Sequence, residues 1–357
     1  MNPEVIITNI KKRYSGVSGT INALLPVQAK NLRIGFVGND LPGFEIAQKE
    51  NPDQIQRMTI WRSIAISRKK LADGRSRIWH VRRDHEMMLA IFLRDVLQFP
   101  IKIVFTSAAK HRHSWFPRWL ISKMDGVIST TEEAASFVPN TTLVAPHGIS
   151  LRRFAPPTDK MNIWARTGLP GKYGIGTFGR IREDKGSDIF VDAMIKVLPE
   201  FPEWSAVLAG LCVQKHQAFQ QALLQKIADA GLSDRIVFLG VIGPDQVADW
   251  YQNVLITVAC PRYEPFGLTP LEAMACGCAV VASNTGAFAA IVDEGKTGYV
   301  VPTDDVDTLA DRLRTIMDPS SAYHMGLLGR ERVAKHFTIE LEANNISRVY
   351  NKLWFGD

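Results

Sequence analysis

Residues 264–272 read EPFGLTPLE, and they place two carboxylates, Glu264 and Glu272, eight positions apart on either side of a glycine. The stretch carries a complete helix-start signal: Thr269 and Glu272 match a Ser/Thr-x-x-Glu capping box, and Pro270 fills the first helical position. A helix start bracketed by two acids is also a place where a ligand binds. Both interpretations stay open until the rest of the chain is considered.

The turn inside this stretch favours the ligand interpretation. It follows the apolar run VLITVAC, and Gly267 lets the chain turn tightly, so that the neighbouring backbone amides point outward. The next helix adds the positive end of its dipole, and Glu272 at its start can accept hydrogen bonds from a vicinal diol. Glu264 has no such structural role, although a single acid at a strand end is also common in an ordinary loop.

A second charged loop lies at residues 179–186, GRIREDKG, directly after the apolar run GIGTF. Arg180 and Lys185 bring two positive charges to a glycine-bounded loop, and Ser187 is the expected N-cap of the helix that follows. Free N–H groups and basic side chains that converge in this way favour anions. The alternative is an exposed loop whose charges are solvated.

Short apolar strands alternate with helix-length segments along the whole chain, which predicts parallel sheets of the βαβ kind. The predicted strands are residues 5–10, 32–38, 78–82, 101–107, 126–130 and 142–146, followed by 174–180, 205–210, 235–240, 254–260, 279–283 and 298–301.

The segment between these two series, residues 146–162, is rich in Pro and Gly and has no apolar stripe, so it is predicted to link two domains. We therefore expect an α/β protein with two Rossmann-like, doubly wound domains that face each other across a cleft. The expected domains are residues 1–150 and residues 151–335. Residues 336–357 are expected to form a helix that crosses back to the first domain.

The composition is that of an ordinary globular protein, with 357 residues, 46% hydrophobic and 22% charged. No apolar run approaches the roughly 20 residues of a membrane span, and the N-terminus lacks the pattern of a signal peptide. The four cysteines are expected to be reduced and buried, which is typical of the cytoplasm.

Charge is unevenly distributed along the chain. Residues 1–150 hold 21 Lys and Arg against 12 Asp and Glu, whereas the remainder holds 21 against 24. A basic first half indicates an anionic partner, although a solvated surface explains the charge equally well.

GRIREDKG, EPFGLTPLEAMACGCAVVAS and the later run GAFAAIVDEGKTGYVVPTDDVDTLADRL together resemble the retaining glycosyltransferases of family 4, which have the GT-B fold. The two glutamates at spacing eight match the acidic signature of that family. PHGISLRRF resembles its interdomain segment, with Ser150 where an Asp is more common. The resemblance covers nearly the whole chain.

The resemblance implies a role for each matching position. Arg180 and Lys185 would hold the donor's diphosphate, Glu264 would bind the transferred hexose, and Glu272 would accept the ribose hydroxyls. The donor-binding residues implied are Gly16, Gly19, Arg180, Lys185, Val241, Ile242, Glu264, Phe266, Gly267, Leu268, Thr269 and Glu272. Of these, Val241 and Ile242 would receive the nucleobase. Gly16 and Gly19, in the motif that begins at Ser15, would lie near the phosphates and the acceptor.

The chemistry of sugar transfer is consistent with these roles. Breaking the sugar–phosphate bond builds negative charge on the diphosphate, and losing one donor to that charge typically costs about 3 kcal/mol of barrier. Positive charge develops on the sugar ring at the same time, and glycosidases stabilise a similar charge with carboxylates. Because cations handle the diphosphate, neither a metal nor another cofactor is expected. Asp305 and Asp307 form an Asp-x-Asp that is interpreted as a helix cap.

In the first half, Arg83 and His85 are the candidates for contact with the acceptor, although histidines such as His80, His111 and His113 are more often structural. This half resembles the lipopolysaccharide core mannosyltransferases. That resemblance implies mannose transfer from GDP-mannose to the Kdo sugar of an anionic glycolipid, by an enzyme peripheral to the cytoplasmic face of the inner membrane.

The basic, aromatic run HRHSWFPRWLISK is interpreted either as a surface that rests on an anionic bilayer or as an ordinary helix with a buried face. Alternative functions are transfer from another nucleotide-sugar, an epimerase or a phosphorylase on the same fold, and a non-catalytic binding module. A dehydrogenase is excluded because no G-x-G-x-x-G follows the first strand of either half. No nucleic acid partner is expected.

Overall fold

The computed structural model describes residues 2–11 and 16–356. The chain folds as two compact units, of which the first comprises the residues up to Gly148 together with those from Ile339 onward. The second unit is Ile149–Thr338. The chain therefore divides after Gly148 and after Thr338, where the sequence had placed the divisions after residues 150 and 335.

The first unit contains a sheet of seven parallel strands in the order β3-β2-β1-β4-β5-β6-β7. Its strands are β1 Val5–Asn9, β2 Ile34–Gly38, β3 Ile55–Arg57, β4 Arg77–Val81, β5 Ile101–Ser107, β6 Gly126–Ser129 and β7 Leu143–Val144. Six of these were predicted. The missed strand β3 has three residues, of which only Ile55 is buried, so it carries no apolar run.

The second unit contains a sheet of six parallel strands in the order β10-β9-β8-β11-β12-β13. Its strands are β8 Tyr173–Phe178, β9 Trp204–Ala209, β10 Ile236–Gly240, β11 Ile256–Ala259, β12 Ala279–Ser283 and β13 Gly298–Val301. All six were predicted, because each is a short apolar run buried between helices.

Helices connect successive strands and cover the sheets. In chain order they are α1 Gly16–Gln28, α2 Pro42–Glu50, α3 Ile60–Ser67, α4 Asp84–Ile91, α5 Trp115–Ser122, α6 Glu132–Phe137, α7 Ser187–Val197, α8 Gln217–Asp229, α9 Pro244–Asn253, α10 Thr269–Ala275, α11 Phe288–Ile291, α12 Val306–Ile316, α13 Pro319–His336 and α14 Ile339–Phe355. A π-helical turn, Phe92–Val96, extends α4, and short 3-10 turns lie at Ile163–Thr167, Glu183–Lys185, Leu198–Glu200 and Gln214–His216. Among the described residues, no helix is both long and apolar enough to cross a membrane.

Alternate residues of each strand point to opposite faces of the first sheet, and each face has its own core. Ile78 packs in the cluster that includes α1, α2 and α14. Trp79, the next residue, packs in the cluster that includes α4, α5 and α6. Helices on both faces are what a doubly wound sheet requires.

The final helix, α14, is held on the first unit by buried polar contacts. The Tyr350 hydroxyl lies 2.5 Å from His80 Nδ1. The Glu342 carboxylate lies 2.7 Å from His147 Nδ1 and accepts a hydrogen bond from the Gly148 backbone at 2.8 Å. Glu342 therefore holds the last residues of the first unit before the chain enters the second.

Each sheet has one position where the strand order reverses. In the first sheet the chain proceeds from β1 outward to β3 and then resumes at β4, on the other side of β1. In the second sheet the same reversal separates β8 from β11. The carboxyl ends of β1 and β4 are called the first switch point below, and those of β8 and β11 the second, because open α/β sheets bind ligands there.

Candidate functional site

A pocket of about 100 Å³ lies at the second switch point. Its walls come from the ends of β8 and β11, from the residues that follow these strands, and from the starts of α7, α10 and α11. They are Thr177, Phe178, Gly179, Arg180, Ile181, Lys185, Ser187, Ala259, Cys260, Pro261, Glu264, Thr269 and Phe288. Arg180, Lys185, Glu264 and Thr269 are therefore four predicted site residues that the fold brings to one place.

Lys185 and Glu264 form an ion pair inside this pocket. Lys185 Nζ donates to Glu264 Oε2 at 2.6 Å, and the two side chains are 21% and 23% exposed. The residues are 79 positions apart in the chain. The geometry explains why an acid follows β11: Glu264 faces the cation of the basic loop.

A glycine sets the position of Lys185. The 3-10 turn Glu183–Lys185 ends at Gly186, which has a φ of +69°. A Cβ on Gly186 would lie 1.9 Å from the Cys260 carbonyl oxygen, so the basic loop packs directly on the chain after β11. Helix α7 begins at Ser187 itself, and the expectation that Ser187 caps this helix is wrong because Gly186 occupies the cap position.

Arg262 also holds the basic loop in place, through hydrogen bonds to Glu183 and Asp188. Its guanidinium donates to both carboxylate oxygens of Asp188, at 2.9 and 2.8 Å, and to the Glu183 carbonyl. It also pairs with Asp304 at 2.5 Å. Hydrogen bonding to Asp188 raises the pKa of Arg262 above its usual range, so this anchor stays charged at every relevant pH.

The turn after Glu264 is tight, as the sequence predicted, because Gly267 has a φ of +83°. A Cβ there would lie 2.2 Å from the Phe288 ring. The Phe266 carbonyl accepts a hydrogen bond from the Ala287 backbone at 3.0 Å, which joins the turn to the chain before α11. Phe266, Gly267 and Leu268 precede α10 but are not among the pocket walls.

The predicted capping box at this helix is wrong. Leu268 occupies the N-cap position of α10 and has no side-chain oxygen, while Thr269 is already helical. Glu272 instead accepts a hydrogen bond from the Tyr251 hydroxyl of α9 at 3.0 Å. The carboxylate is thus directed to a tertiary partner and not to its own helix end.

Burial raises the pKa of Glu272, and the bond from Tyr251 partly opposes that rise. Burial likewise raises the pKa of Tyr251 well above its usual range, so Tyr251 remains the proton donor of this pair. The pair lies next to the pocket wall that Thr269 forms, three residues earlier on α10.

Two predicted nucleobase contacts lie further away. Val241 and Ile242 follow β10, which is the edge strand of the second sheet, and neither is among the pocket walls. Val241 is exposed and Ile242 half-buried.

In the first unit, Gly16 and Gly19 form the first turn of α1, and Ser15 lies outside the described residues. Arg83 Nη1 donates to Asn9 Oδ1 at 3.0 Å and lies 3.3 Å from Glu86 Oε1. This contact spans the first switch point, because Asn9 ends β1 and Arg83 follows β4. His85 is exposed, with Nε2 4.0 Å from Glu86 Oε1.

Sequence reasoning missed Arg82. Its side chain is only 8% exposed, and among the described residues its Nη1 is buried without a hydrogen-bond partner. Burial lowers the pKa of Arg82, while the nearest acids, Glu86 and Glu342, are already hydrogen-bonded to other groups. The sequence did contain a signal for this site, because two arginines directly follow β4, a fully buried strand at the first switch point.

His80, by contrast, is a structural histidine, as the sequence favoured. Its Nε2 lies 2.7 Å from Thr106 Oγ1, and its Nδ1 contacts Tyr350. Burial lowers the pKa of His80 well below its usual range, so the ring is neutral.

Within the described residues, no three His, Cys, Asp or Glu side chains are grouped so that they could hold a metal ion. Asp305 caps α12 by accepting from the Thr308 backbone at 2.9 Å, which confirms its interpretation as a cap. The cysteines are free, as expected, although Cys212 is half-buried whereas Cys260, Cys276 and Cys278 are buried.

Two doubly wound parallel sheets are the fold of the GT-B class of glycosyltransferases, and here two cations and one acid converge in a pocket at the second switch point. The Anabaena protein HepE, solved with UDP, has this fold: it is 14% identical, covers 98% of this chain and all of its own, and superimposes with a TM-score of 0.81. The C-terminal domain of the group 1 glycosyltransferase LpcC from Francisella tularensis is 36% identical over 54% of this chain and all of that domain, with a TM-score of 0.52.

The sequence comparisons define the family. The model for glycosyl transferases group 1 matches residues 163–325. The lipopolysaccharide core biosynthesis mannosyltransferase LpcC of Rhizobium leguminosarum bv. viciae is 42% identical over 99% of this chain and 97% of its own length. LpsB of Rhizobium meliloti, with the same description, is also 42% identical over 98% of this chain and 97% of its own. The chain belongs to the group 1 glycosyltransferases, and the predicted family, fold class and enzyme class are confirmed.

Proposed function

We propose that this enzyme transfers mannose from GDP-mannose to the Kdo sugar of the lipopolysaccharide inner core, with retention of configuration and without a metal. The observation that carries the transfer chemistry is the Lys185–Glu264 pair, 2.6 Å apart in the pocket of the second switch point. Mannose and the core acceptor are supported by full-length relatives, 42% identical, that are described as core mannosyltransferases.

On the donor side, the bond between the mannose C1 and the diphosphate oxygen breaks, and the diphosphate takes up negative charge. Lys185 and Arg180 stabilise that charge, and since they are cations no metal is needed for it. The amides of Phe266, Gly267 and Leu268 add neutral donors.

Glu264 accepts hydrogen bonds from the mannose hydroxyls and stabilises the positive charge that develops on the ring. The acceptor hydroxyl forms the new bond to C1 and passes its proton to the departing diphosphate. Glu272, which Tyr251 holds in place, accepts hydrogen bonds from the ribose hydroxyls. Val241 and Ile242 contact the guanine through their backbone groups.

On the acceptor side, the acidic group of the Kdo sugar meets the arginines of the first switch point. Arg82 is the stronger candidate, because its buried guanidinium has an Nη1 with no hydrogen-bond partner among the described residues. Arg83 and His85 follow it in the chain and complete a basic surface for an anionic acceptor. The acceptor is a glycolipid, so we propose that the enzyme works at the cytoplasmic face of the inner membrane as a peripheral protein.

The test is a donor panel with the purified protein and a Kdo-lipid A acceptor, in which the product is read by mass. We expect one hexose to be added from GDP-mannose, with the same rate in the presence of a chelator. Turnover only with a uridine donor would contradict the proposed donor, and a strict requirement for a divalent metal would contradict the mechanism.

A matched variant separates the chemistry from contamination by other transferases. Glu264→Gln keeps the shape of the side chain but removes its charge, and it should abolish product while it leaves the fold intact. Product formation by this variant at the wild-type rate, in a preparation free of other transferases, would contradict the proposed role of Glu264.

A further inference from the structure

Helix α5, Trp115–Ser122, exposes three aromatic side chains, Trp115, Phe116 and Trp119, here called the aromatic patch. They are 76%, 37% and 45% exposed. The helix buries Leu120 and Ile121 in the core under the first sheet. The aromatic residues therefore form its outer surface, and the sequence interpretation of an ordinary helix with a buried Trp and Leu face is right for Leu120 and wrong for the tryptophans.

The three rings form a continuous surface. The ring centroids of Trp115 and Phe116 are 5.6 Å apart, and those of Phe116 and Trp119 are 6.2 Å apart and nearly parallel. Large aromatic side chains grouped in water are unfavourable, and such groups mark interaction sites. The neighbouring helix α4 and its π-helical turn add exposed apolar side chains at Met88 and Phe92.

Basic side chains surround the aromatic patch. Arg112 precedes α5, Arg118 lies within it, and Lys123 follows it, with Nζ 5.9 Å from the centre of the Trp119 ring. Among the described residues none of these three takes part in an ion pair. No acidic residue occurs anywhere in residues 108–124, although the segment holds four Lys or Arg.

We propose that the aromatic patch and its basic rim dock the enzyme on an anionic phospholipid bilayer. Tryptophan rings lie favourably at the level of the headgroups, where one part of the ring is apolar and another is wet. Each Lys or Arg near an anionic bilayer adds attraction, and the four of residues 108–124 outnumber Asp84 and Asp95, the nearby acids of α4 and its π-helical turn. The proposal deepens the proposed function, because it names the surface that brings the enzyme to a lipid-linked acceptor.

A bilayer fits this surface better than a protein partner does. The patch is a single short helix with an apolar centre and cations around it, which is the pattern of a helix that lies in the membrane interface. A protein partner of matching chemistry would need an acidic rim around an apolar groove. A second copy of the chain would instead place two basic rims against each other, which is unfavourable.

The test is co-sedimentation of the full-length protein with vesicles of phosphatidylcholine alone or mixed equally with phosphatidylglycerol. We expect binding to the anionic vesicles that is at least about tenfold stronger than to neutral vesicles and that weakens with salt. The double variant Trp115→Ala, Trp119→Ala should lose at least about tenfold of the binding to anionic vesicles. Lys123→Glu should weaken the binding to anionic vesicles and leave that to neutral vesicles unchanged.

Phe355→Ala is the matched control, because Phe355 is an equally exposed aromatic residue on α14, which packs on the other face of the sheet. It should bind vesicles as the wild type does. Equal binding by the double variant and the wild type would overturn the proposal, as would a wild-type protein that ignores anionic vesicles. A wild-type dimer that the double variant abolishes would assign the patch to a second copy.

A transfer assay separates this proposal from the proposed function. The double variant should use a soluble, deacylated acceptor at the wild-type rate and a vesicle-embedded acceptor at least about tenfold more slowly. Absence of mannose transfer in every variant would contradict the proposed function, while the vesicle result would still decide the docking surface.

Discussion

At the second switch point the cation Lys185 faces the acid Glu264 at 2.6 Å, and both side chains are partly open to solvent. At the first switch point Arg82 is almost fully buried, and its Nη1 lacks a hydrogen-bond partner among the described residues. Both places follow a central strand of a parallel sheet, and both carry cations. They differ in whether the protein itself supplies the opposite charge.

That difference has a direct energetic meaning. A partly exposed ion pair contributes only about 0–1 kcal/mol, so Lys185 can turn from Glu264 to a phosphate with little loss of free energy. A buried guanidinium without a full set of partners is costly, and a buried polar group left unsatisfied costs about 1–3 kcal/mol. The two switch points therefore differ in how an anion would bind: at the second it would compete with Glu264 for Lys185, and at the first it would supply the hydrogen bond that Arg82 Nη1 lacks among the described residues.

The largest expected effect comes from removing the cation of the second switch point. Lys185→Ala should lower kcat/KM for mannose transfer about 100-fold, because one lost donor to the leaving diphosphate raises the barrier by about 3 kcal/mol. Steady-state transfer measures this. Lys196→Ala is the control, since Lys196 pairs with Asp307 on the surface of the same unit and should change the rate less than about twofold. Undiminished transfer by Lys185→Ala would falsify the assignment of the donor site.

The next largest effect tests how the fold positions Lys185. Gly186→Ala should lower the free energy of unfolding by about 3 kcal/mol, because it combines a positive φ with an overlap on the Cys260 carbonyl. Gly231→Ala is the matched control: Gly231 also has a positive φ, but no atom lies within 4 Å of its Cβ position. Denaturant unfolding should give a loss of only about 1 kcal/mol there. Equal losses would mean that the contact with Cys260 does not position the loop.

The proposed role of Arg82 at the first switch point is tested by measuring both the free energy of unfolding and kcat/KM for the acceptor. Arg82→Met should lower kcat/KM for the acceptor about tenfold, leave the KM for the donor unchanged, and not reduce the free energy of unfolding, because it removes a poorly compensated buried charge. Arg57→Met, at an exposed arginine of the same unit, should change none of these quantities. If Arg82→Met mainly unfolds the protein, Arg82 is a structural cation and the contrast between the two switch points disappears.

The smallest effect concerns Glu272 and depends on pH. Because burial raises the pKa of Glu272, its carboxylate is lost on acidification at a higher pH than that of an exposed glutamate, and donor affinity should fall there. Tyr251→Phe removes a bond that lowers this pKa, so the loss of donor affinity should move to higher pH and the donor KM should rise about threefold. Donor KM measured against pH tests this, with Tyr299→Phe as a control elsewhere in the unit. If the pH dependence of the donor KM is the same in Tyr251→Phe as in the wild type, Glu272 does not contact the donor.

Much of the fold was predictable from local sequence. Twelve strands were identified because each is a continuous apolar run, as in a sheet covered on both faces. Strand β3 was missed because it has one buried residue in three. The tight turn at Gly267 and the cap at Asp305 were also predictable, since both depend on residues within a few positions of each other.

The site was predictable only in part. The sequence identified Lys185 and Glu264 by their motifs, but for Glu272 it left a capping box open beside a ligand role, because a local pattern cannot reveal that Tyr251 donates to the same carboxylate. Arg82 was overlooked for a related reason. A charged residue in a basic run is expected to be solvated, and its burial follows from the packing of α14, which joins the first unit from the far end of the chain.

The order of residues along the chain was sufficient by itself to determine two doubly wound sheets and the tight turn at Gly267. These properties depend on hydrophobic periodicity and on short motifs, and both are local. Only the tertiary structure decided which charges meet: Glu264 with Lys185, Glu272 with Tyr251, and Arg82 with no fixed partner for its Nη1 among the described residues. The physical reason is that Coulombic and hydrogen-bonding energies depend on distance in space, and residues up to 79 positions apart become neighbours only after the strands have paired.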